Sequence, residues 1–292
     1  MKERLTVGTW KDAKSRQRFL AKEDALWARS TRPREAFDVE TRLGPTRAYR
    51  WRGSGTPLVF LHGVTGTSVS WARYAEHLVD RDVVAIDLMG DVGRSEQRAP
   101  ITTPEDMAEW LDETLGALGV EHATLVGLSL GGFVALATAI HRPARVRSLF
   151  LFDPGGIAPL LFLKFMLWGL PILFGSLAPA PVRRWIARRF RMPLLEDKPV
   201  MRFALYGQLH YRMRIPRPVT FTDDELRSIA VPVTMLVGEK TEVFDRDVLV
   251  SRARATIPDI KVEVVPGAGH AMTESAFELC ASRVSHVTDA TL

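Results

Sequence analysis

The sequence contains only one cysteine, Cys280, so no disulfide can form within the chain. It has no His-Glu-x-x-His motif, no Cys/His spacing of the kind that binds zinc, and no P-loop. The glycines at positions 127–132 do not form a dinucleotide fingerprint. These absences predict chemistry without a metal or another cofactor, and the unpaired thiol indicates a reducing compartment, the cytoplasm.

Signals for export, internal repeats and nucleic-acid binding are also missing. Residues 2–4 are charged, but no apolar segment follows them, so we expect no secretory signal. The formal net charge of +5 is modest and no DNA- or RNA-binding motif accompanies it, so we expect no nucleic-acid partner. Hydrophobic residues make up 46% of the 292 positions, which is enough to bury one large core.

Strand-like and helix-like segments alternate along most of the chain. This alternation predicts an α/β fold with a mostly parallel central sheet and helices on both faces. Ahead of the parallel strands, residues 37–51 alternate around Gly44-Pro45 and predict an antiparallel hairpin at the sheet edge. The segments that we interpret as strands of this sheet are residues 57–61, 82–86, 123–128, 147–152, 232–237 and 260–265.

One serine has the sequence context of a nucleophile. Ser129 lies between Gly127 and Gly131, after a predicted strand and before an apolar, alanine-rich segment typical of a helix. A sharp turn from strand to helix strains the backbone at the serine and leaves no room for a Cβ on either side, which is why glycines flank it. This pattern predicts a nucleophile elbow.

A base and an oxyanion hole have candidates elsewhere in the sequence. A triad of this type needs a histidine later in the chain, and His270 ends a Gly-rich turn that follows the last predicted strand. The strand at 57–61 runs directly into His62, Gly63 and Val64. The backbone N–H groups of Val64 and Leu130 are therefore the predicted oxyanion donors, and His62 is expected to brace its loop by hydrogen bonds.

These motifs together make the chain similar to the α/β-hydrolase superfamily, from about Phe37 to its end. The resemblance implies an α/β-hydrolase fold with a helical cap inserted after the sixth strand, and a triad that needs no cofactor. The segments at 87–95 and 238–245 are most similar to a bacterial subgroup of α/β-fold hydrolases and carboxylesterases. The matching motifs are Leu61-His62-Gly63, residues 87–95, residues 127–131 and residues 267–270.

The acid of the triad is where this sequence departs from the superfamily pattern. The resemblance places the acid at Thr241, whose hydroxyl cannot offset the charge of an imidazolium. We expect Glu242, one position later, to take this role. Asp245 in the same loop and Asp153, at the end of the strand at 147–152, are the alternatives.

The strand pattern stops between residues 154 and 230, where we expect the cap. Residues 157–174 are the most hydrophobic stretch of the chain, but Lys164 and Pro171 interrupt it, so lid helices are favoured over a membrane span or a lid that touches a membrane. An apolar roof favours an apolar group in the pocket. The cap residues that we expect at the substrate are Phe162, Phe165 and Trp168.

A basic segment follows, at residues 183–191, and more arginines lie beyond it. It could attract an acidic substrate or an anionic membrane. The favoured interpretation is a solvated helix face with Trp185 and Phe190 turned to the core, so membrane contact through the cap is possible but not favoured. The later arginines of this region are Arg202, Arg212, Arg214 and Arg217.

The sequence thus predicts a serine hydrolase that acts on a small-molecule substrate through an acyl-enzyme. A carboxylesterase acting on a moderately hydrophobic ester is the first choice, and a hydrolase of C–C bonds, lactones or thioesters is the alternative. A ligand-binding or signalling homologue with weak catalysis is a further alternative. The expected organisation is a helical extension (1–35), a core in two parts (36–153 and 231–292) and a cap (154–230).

Overall fold

The computed structural model describes residues 7–216 and 218–287. Residues 1–6 of the expected extension, Arg217 of the basic region and residues 288–292 of the core lie outside the described residues.

Strands and helices alternate through the described part of the chain. The strands are β1 (Thr9–Trp10), β2 (Glu35–Thr41), β3 (Gly44–Trp51), β4 (Ser54–Leu61), β5 (Arg81–Ile86), β6 (Ala123–Leu128), β7 (Val146–Phe152), β8 (Tyr211–Arg212), β9 (Val233–Gly238) and β10 (Ile260–Val265). The α-helices are α1 (Ala13–Trp27), α2 (Ala72–His77), α3 (Pro104–Ala117), α4 (Leu130–His141), α5 (Phe162–Leu177), α6 (Ala180–Arg189), α7 (Lys198–His210), α8 (Asp223–Arg227), α9 (Arg246–Thr256), α10 (Met272–Ser275) and α11 (Phe277–Ser285).

An eight-stranded sheet organises the molecule, in the order β10-β9-β7-β6-β4-β5-β3-β2. The strands from β10 to β5 pair in parallel, whereas β2 and β3 form an antiparallel hairpin at one edge. The predicted α/β fold, its mostly parallel sheet and the edge hairpin are therefore confirmed. All six predicted strands are present, and all of them lie within this sheet.

Side chains of the central strands alternate between two hydrophobic clusters, one on each face of the sheet. In β4, Val59 and Leu61 belong to the cluster that includes α3 and α4, whereas Leu58 and Phe60 belong to the one that includes α2 and α11. All four side chains are fully buried. Because both faces are covered, the strand is apolar at consecutive positions and does not alternate with polar residues.

Helix α1, in the segment expected to form the extension, packs against α7 and against the loop after β5. Asp12 caps α1 by accepting a hydrogen bond from the Ser15 N–H at 2.6 Å. The ring of Phe19 stacks on that of Phe203 in α7, with 4.6 Å between the ring centroids. Glu23 of α1 is buried and its carboxylate contacts the Arg94 guanidinium at 2.6 Å, so the helix is fixed to both the cap and the core.

Helices α5, α6 and α7 lie between β7 and β9, in the segment expected to form the cap. The two ends of this insertion meet, because the Phe221 N–H donates a hydrogen bond to the Gly156 carbonyl at 2.8 Å. The Phe221 ring also stacks on Phe133 of α4 at a centroid distance of 5.0 Å. Among the helices of the described residues, none combines the length and apolarity that crossing a bilayer requires.

The favoured interpretation of the basic segment was wrong about two aromatic side chains. Trp185 is 63% exposed and Phe190 is 39% exposed, although both were expected to turn to the core. The inward side of α6 is occupied by the buried Ala187, which packs with Met192. Because residues 185 and 187 lie on opposite sides of a helix, burying Ala187 turns the Trp185 indole to solvent.

Candidate active site

Ser129 occupies a strained turn between β6 and α4. Its backbone has φ of +53° and ψ of −108°, a conformation that residues other than glycine rarely adopt. Three hydrogen bonds of 3.0 Å hold it there: its N–H donates to the Phe152 carbonyl, and its carbonyl accepts from the N–H groups of Phe133 and Gly155. The turn projects the serine from the carboxyl end of the central strand β6.

The glycines on either side are required by close backbone contacts. A Cβ on Gly131 would lie 2.1 Å from the carbonyl oxygen of Leu61, in β4. A Cβ on Gly127 would lie 2.5 Å from the carbonyl oxygen of Gly131. Both distances are far below van der Waals contact with backbone atoms that cannot rotate away, so the elbow depends on glycine at both positions.

We expect Gly131→Ala to lower the free energy of unfolding by about 3 kcal/mol or more, because the added methyl group forces α4 away from β4. The measurement is urea unfolding followed by circular dichroism. Gly169→Ala is the matched control, since a Cβ on Gly169 in α5 meets nothing within 4 Å and alanine favours a helix. Equal stability of the Gly131 and Gly169 variants would contradict the close contact.

His270 contacts a buried carboxylate through its ring. Its Nδ1 lies 3.3 Å from Oδ2 of Asp153, which is fully buried at the end of β7. The other oxygen of Asp153 accepts a hydrogen bond from the Gly238 N–H at 3.1 Å, and the Asp153 N–H donates to the Leu236 carbonyl at 3.0 Å. Asp153 has φ of +39°, so these bonds to β9 hold a conformation that is unfavourable by itself.

The other two candidate acids make different contacts. Glu242, which we preferred from the sequence, accepts a hydrogen bond from the backbone N–H of His270 at 2.9 Å and packs on Gly269. Burial raises the pKa of Glu242, and the His270 N–H partly opposes this. Asp245 caps α9, accepting from the N–H groups of Asp247 and Val248. The geometry therefore favours Asp153, the alternative drawn from β7, as the partner of the imidazole.

Ser129 and His270 line one cavity of about 620 Å³, to which α5 and α7 also contribute side chains. Of the three predicted cap contacts, Phe165 and Trp168 line this cavity, and the Trp168 ring meets the His270 ring edge-on at 5.7 Å. Phe162 does not follow the expectation, because the cavity lining omits it and its side chain is 59% exposed. Each step of three residues along a helix turns the side chain by about 60° around the axis, so the directions of Phe162 and Trp168 differ by about 120° and the three rings cannot all point inward.

The loop after β4 carries the predicted oxyanion donor. Within the described residues, the N–H groups of Val64 and Leu130 have no acceptor, and Leu130 is the first residue of α4. The prediction for His62 is confirmed: its Nε2 accepts from the Leu88 N–H at 2.9 Å, and its Nδ1 lies 2.8 Å from the Gly63 carbonyl. Burial lowers the pKa of His62, which favours the neutral ring.

Asp91 also holds this loop, and the sequence reasoning did not identify it. Its carboxylate accepts hydrogen bonds from the N–H groups of Thr65 at 2.8 Å and Val92 at 2.7 Å. Thr65 has φ of +63°, so the bond to Asp91 stabilises a strained residue directly after Val64. The available signal was its position between Gly90 and Gly93, within the motif at residues 87–95.

The pKa of Asp91 gives a prediction for stability. Burial raises this pKa to about 7, the two amide donors oppose the rise, and Asp87 adds to it. Because the folded protein then binds a proton that the unfolded chain releases near pH 4, the contribution of Asp91 is present at low pH and is lost as pH rises through 7. Relative to Asp91→Asn, we expect the wild type to lose on the order of 3 kcal/mol of unfolding free energy between pH 4 and pH 8.

The measurement is urea unfolding of both proteins across this pH range. Asp224→Asn serves as the control for loss of a negative charge, since Asp224 is exposed on α8. A difference between wild type and Asp91→Asn that stays constant with pH would show that Asp91 does not titrate in this way.

Within the described residues, no group of three or more His, Cys, Asp or Glu side chains is arranged to hold a metal ion.

Comparisons with known proteins find a matching family model, similar sequences and a similar crystal structure. A family model described as the alpha/beta hydrolase fold matches residues 56–276. Carboxylesterase YbfK of Bacillus subtilis is 31% identical over 258 residues, covering 86% of each chain. The uncharacterized carboxylesterase nap of the same bacterium is 30% identical over 251 residues, covering 82% of this chain and 81% of its own. The crystal structure of naproxen esterase (carboxylesterase NP) from Bacillus subtilis has a TM-score of 0.81 at 26% identity, covering 94% of this chain and 98% of that one.

Proposed function

Because this chain belongs to the α/β-hydrolase family, we propose that it is a serine carboxylesterase that cleaves a moderately hydrophobic ester through an acyl-enzyme. Its relatives at about 30% identity support esterase-like hydrolase activity. One observation supports the serine mechanism. Ser129, on a strained elbow, lines the same cavity as His270, and Nδ1 of His270 contacts the buried carboxylate of Asp153.

In the proposed first step, the Ser129 hydroxyl oxygen attacks the ester carbonyl while Nε2 of His270 takes its proton. Asp153 beside Nδ1 favours the tautomer that leaves Nε2 free to accept, and its charge stabilises the imidazolium that forms. Among the described residues no hydrogen bond joins the hydroxyl to the ring, so the proposed step requires the hydroxyl and Nε2 to come within hydrogen-bond distance in the substrate complex.

The negative charge on the carbonyl oxygen then needs donors that are already in place. We assign this role to the backbone N–H groups of Val64 and Leu130. Leu130 contributes the end of α4, whose free N–H groups carry partial positive charge. Asp91, through the N–H of Thr65, and His62, through the Leu88 N–H, would keep the Val64 loop in position without touching the substrate.

Collapse of this intermediate breaks the ester C–O bond. The imidazolium of His270 gives its proton to the leaving alcohol, and the acyl group stays on Ser129. A water molecule, deprotonated by the same nitrogen, then attacks the acyl carbonyl, releasing the acid and restoring the serine hydroxyl. No group outside the chain other than water is needed for the two half-reactions.

The cavity lining supports an apolar acyl or alkyl group. Phe165 and Trp168 come from α5, and Phe203 and Leu205 come from α7. A cavity of about 620 Å³ is in the range of sites that enclose small organic molecules, so a moderately hydrophobic ester fits the proposal.

We also propose that the chain is divided into an extension, a two-part core and a cap. We propose further that the protein resides in a reducing compartment such as the cytoplasm. The location is supported by Cys280, which is fully buried. Burial raises the pKa of its thiol to about 12, so the thiol has no part in the chemistry.

Hydrolysis of p-nitrophenyl esters of increasing acyl length tests the proposal, together with labelling by a fluorophosphonate probe. We expect labelling at a single serine, and turnover that rises from acetate to medium-length acyl chains because these fill the apolar cavity. Labelling without turnover of any ester would support the ligand-binding alternative instead. Absence of both would contradict an activated serine.

A further inference from the structure

The outer side of α5 exposes large apolar side chains. Leu163, Leu167, Leu170 and Phe174 recur at intervals of three and four residues, so they form one stripe along the helix. Leu163 is 71% exposed and Phe174 is 62% exposed. Monomeric proteins rarely leave so continuous a row of large apolar residues in water, so this stripe indicates a binding surface.

The helix that follows adds positive charge and an exposed indole. Residues 154–195 contain six basic residues and no Asp or Glu; these are Lys164, Arg183, Arg184, Arg188, Arg189 and Arg191. The exposed Trp185 lies among Arg184, Arg188 and Arg189, which together line a shallow depression on α6. The acidic neighbours come from outside this segment. Arg188 lies 3.8 Å from Glu196, a weak contact because both side chains are exposed. The charge of Arg191 opposes the rise in the pKa of Glu242.

We propose that this surface, formed by the stripe on α5 and the arginines around Trp185, docks on an anionic phospholipid bilayer. An apolar face, clustered arginines and an indole are the features of helices that lie in the plane of a membrane interface. The six cations of residues 154–195, a segment that contains no Asp or Glu, complement anionic headgroups. With 16 residues, α5 is about 24 Å long, so it lies along the interface and does not cross it.

A second copy of this chain fits the surface less well. A symmetric dimer brings the same patch of two subunits together, so the arginines of one copy would face those of the other. Residues 154–195 offer no carboxylate to pair with them. Burying like charges against each other costs several kcal/mol, whereas an anionic bilayer pairs every arginine.

The stripe continues into the rim of the cavity. Met166 and Leu170 line the cavity that Ser129 also lines, and both side chains are more than one-third exposed. These two side chains therefore lie at the mouth of the cavity, in contact with both its interior and the solvent. Docking would place this rim against the acyl-chain region of the bilayer. If the proposed esterase function holds, the substrate class would be a membrane-dissolved ester; docking itself does not depend on that function.

Sedimentation of the full chain with sucrose-loaded vesicles tests the docking. We expect binding to vesicles that contain phosphatidylglycerol, little binding to phosphatidylcholine alone, and weakening by salt. The triple variant Arg184→Gln, Arg188→Gln, Arg189→Gln should lower the partition coefficient by about a hundredfold. Leu163→Asn with Leu167→Asn should lower it by about tenfold or more, since both leucines are exposed and their loss does not open the core.

The matched control removes three positive charges from other exposed positions, with Arg18→Gln, Arg254→Gln and Lys261→Gln. It should bind nearly as well as the wild type. The docking proposal is overturned if the wild type ignores both kinds of vesicle, if the two triple variants bind equally, or if the wild type is a dimer that the Arg184 triple variant dissociates. Turnover of p-nitrophenyl acetate without vesicles should be equal in all variants, so failed docking and failed catalysis give different results.

Discussion

Replacing Ser129 by alanine is expected to lower kcat for a p-nitrophenyl ester by about four orders of magnitude or more. Without the hydroxyl no acyl-enzyme can form, and the remaining site can only assist direct attack by water. The effect should fall on kcat and leave KM within about threefold, because the apolar cavity that binds the ester is unchanged. Steady-state kinetics of the purified variant, with its thermal unfolding temperature, give the measurement.

The cavity supplies a matched control for this variant. Ser70 is exposed and also lines the cavity, but it lies outside the elbow, so Ser70→Ala should keep kcat within about threefold of the wild type. Mass spectrometry after fluorophosphonate treatment should find the adduct on the peptide that contains Ser129. If Ser129→Ala hydrolysed esters at the wild-type rate, the proposed mechanism would be wrong.

Replacing Asp153 by asparagine should be the second most damaging change, with kcat lowered by about three to four orders of magnitude. An asparagine amide can point its NH₂ group at Nδ1 of His270, which stabilises the tautomer whose Nε2 carries the proton and cannot act as a base. The side chain also loses the charge that stabilises the imidazolium. Because the shape of the side chain is retained, its bond to Gly238 and the fold should persist.

Glu242→Gln is the decisive comparison. The Glu242 carboxylate accepts from the backbone N–H of His270 and does not contact the ring, and a glutamine oxygen can still accept this bond. We therefore expect kcat to fall by only about tenfold. Asp245→Asn should keep its activity, with stability reduced by at most about 1 kcal/mol, since asparagine also caps helices. If Glu242→Gln lost more activity than Asp153→Asn, the acid would be Glu242.

The sheet and the elbow were predictable because their signals are local. Each buried strand is a short apolar run between turn residues, and β4 is apolar at consecutive positions since both of its faces are covered. The glycines beside Ser129 report contacts within one strand-turn-helix unit and its neighbour β4. Such constraints leave a pattern in a few adjacent positions.

The proposed acid, Asp153, was not predictable in this way because its assignment depends on a contact between distant parts of the chain. Asp153 and His270 are 117 positions apart, and both carboxylate candidates of the β9–α9 loop lie nearer to the histidine in sequence. Glu242 and Asp153 differ in the part of His270 that their side chains contact. The Glu242 carboxylate accepts from the backbone N–H of His270, whereas the Asp153 carboxylate contacts the imidazole ring. A residue pattern along the chain does not specify this direction.

The cap shows a second limit of sequence reasoning. The basic segment at 183–191 has aromatic residues on a helix, and this pattern is equally compatible with rings turned inward or outward. The choice depends on which small residue packs against the neighbouring helices. Ala187 takes that place, and the rotation of α6 then exposes Trp185.

The meeting of the two ends of the cap, at Gly156 and Phe221, makes the insertion a module with a closed base. The chain leaves and re-enters the core at one point, so another segment of different length could be grafted between these residues without changing the register of β7 and β9. Ser129, Asp153 and His270 all lie outside the grafted interval. Selectivity could therefore be exchanged by recombination while the catalytic framework is inherited intact.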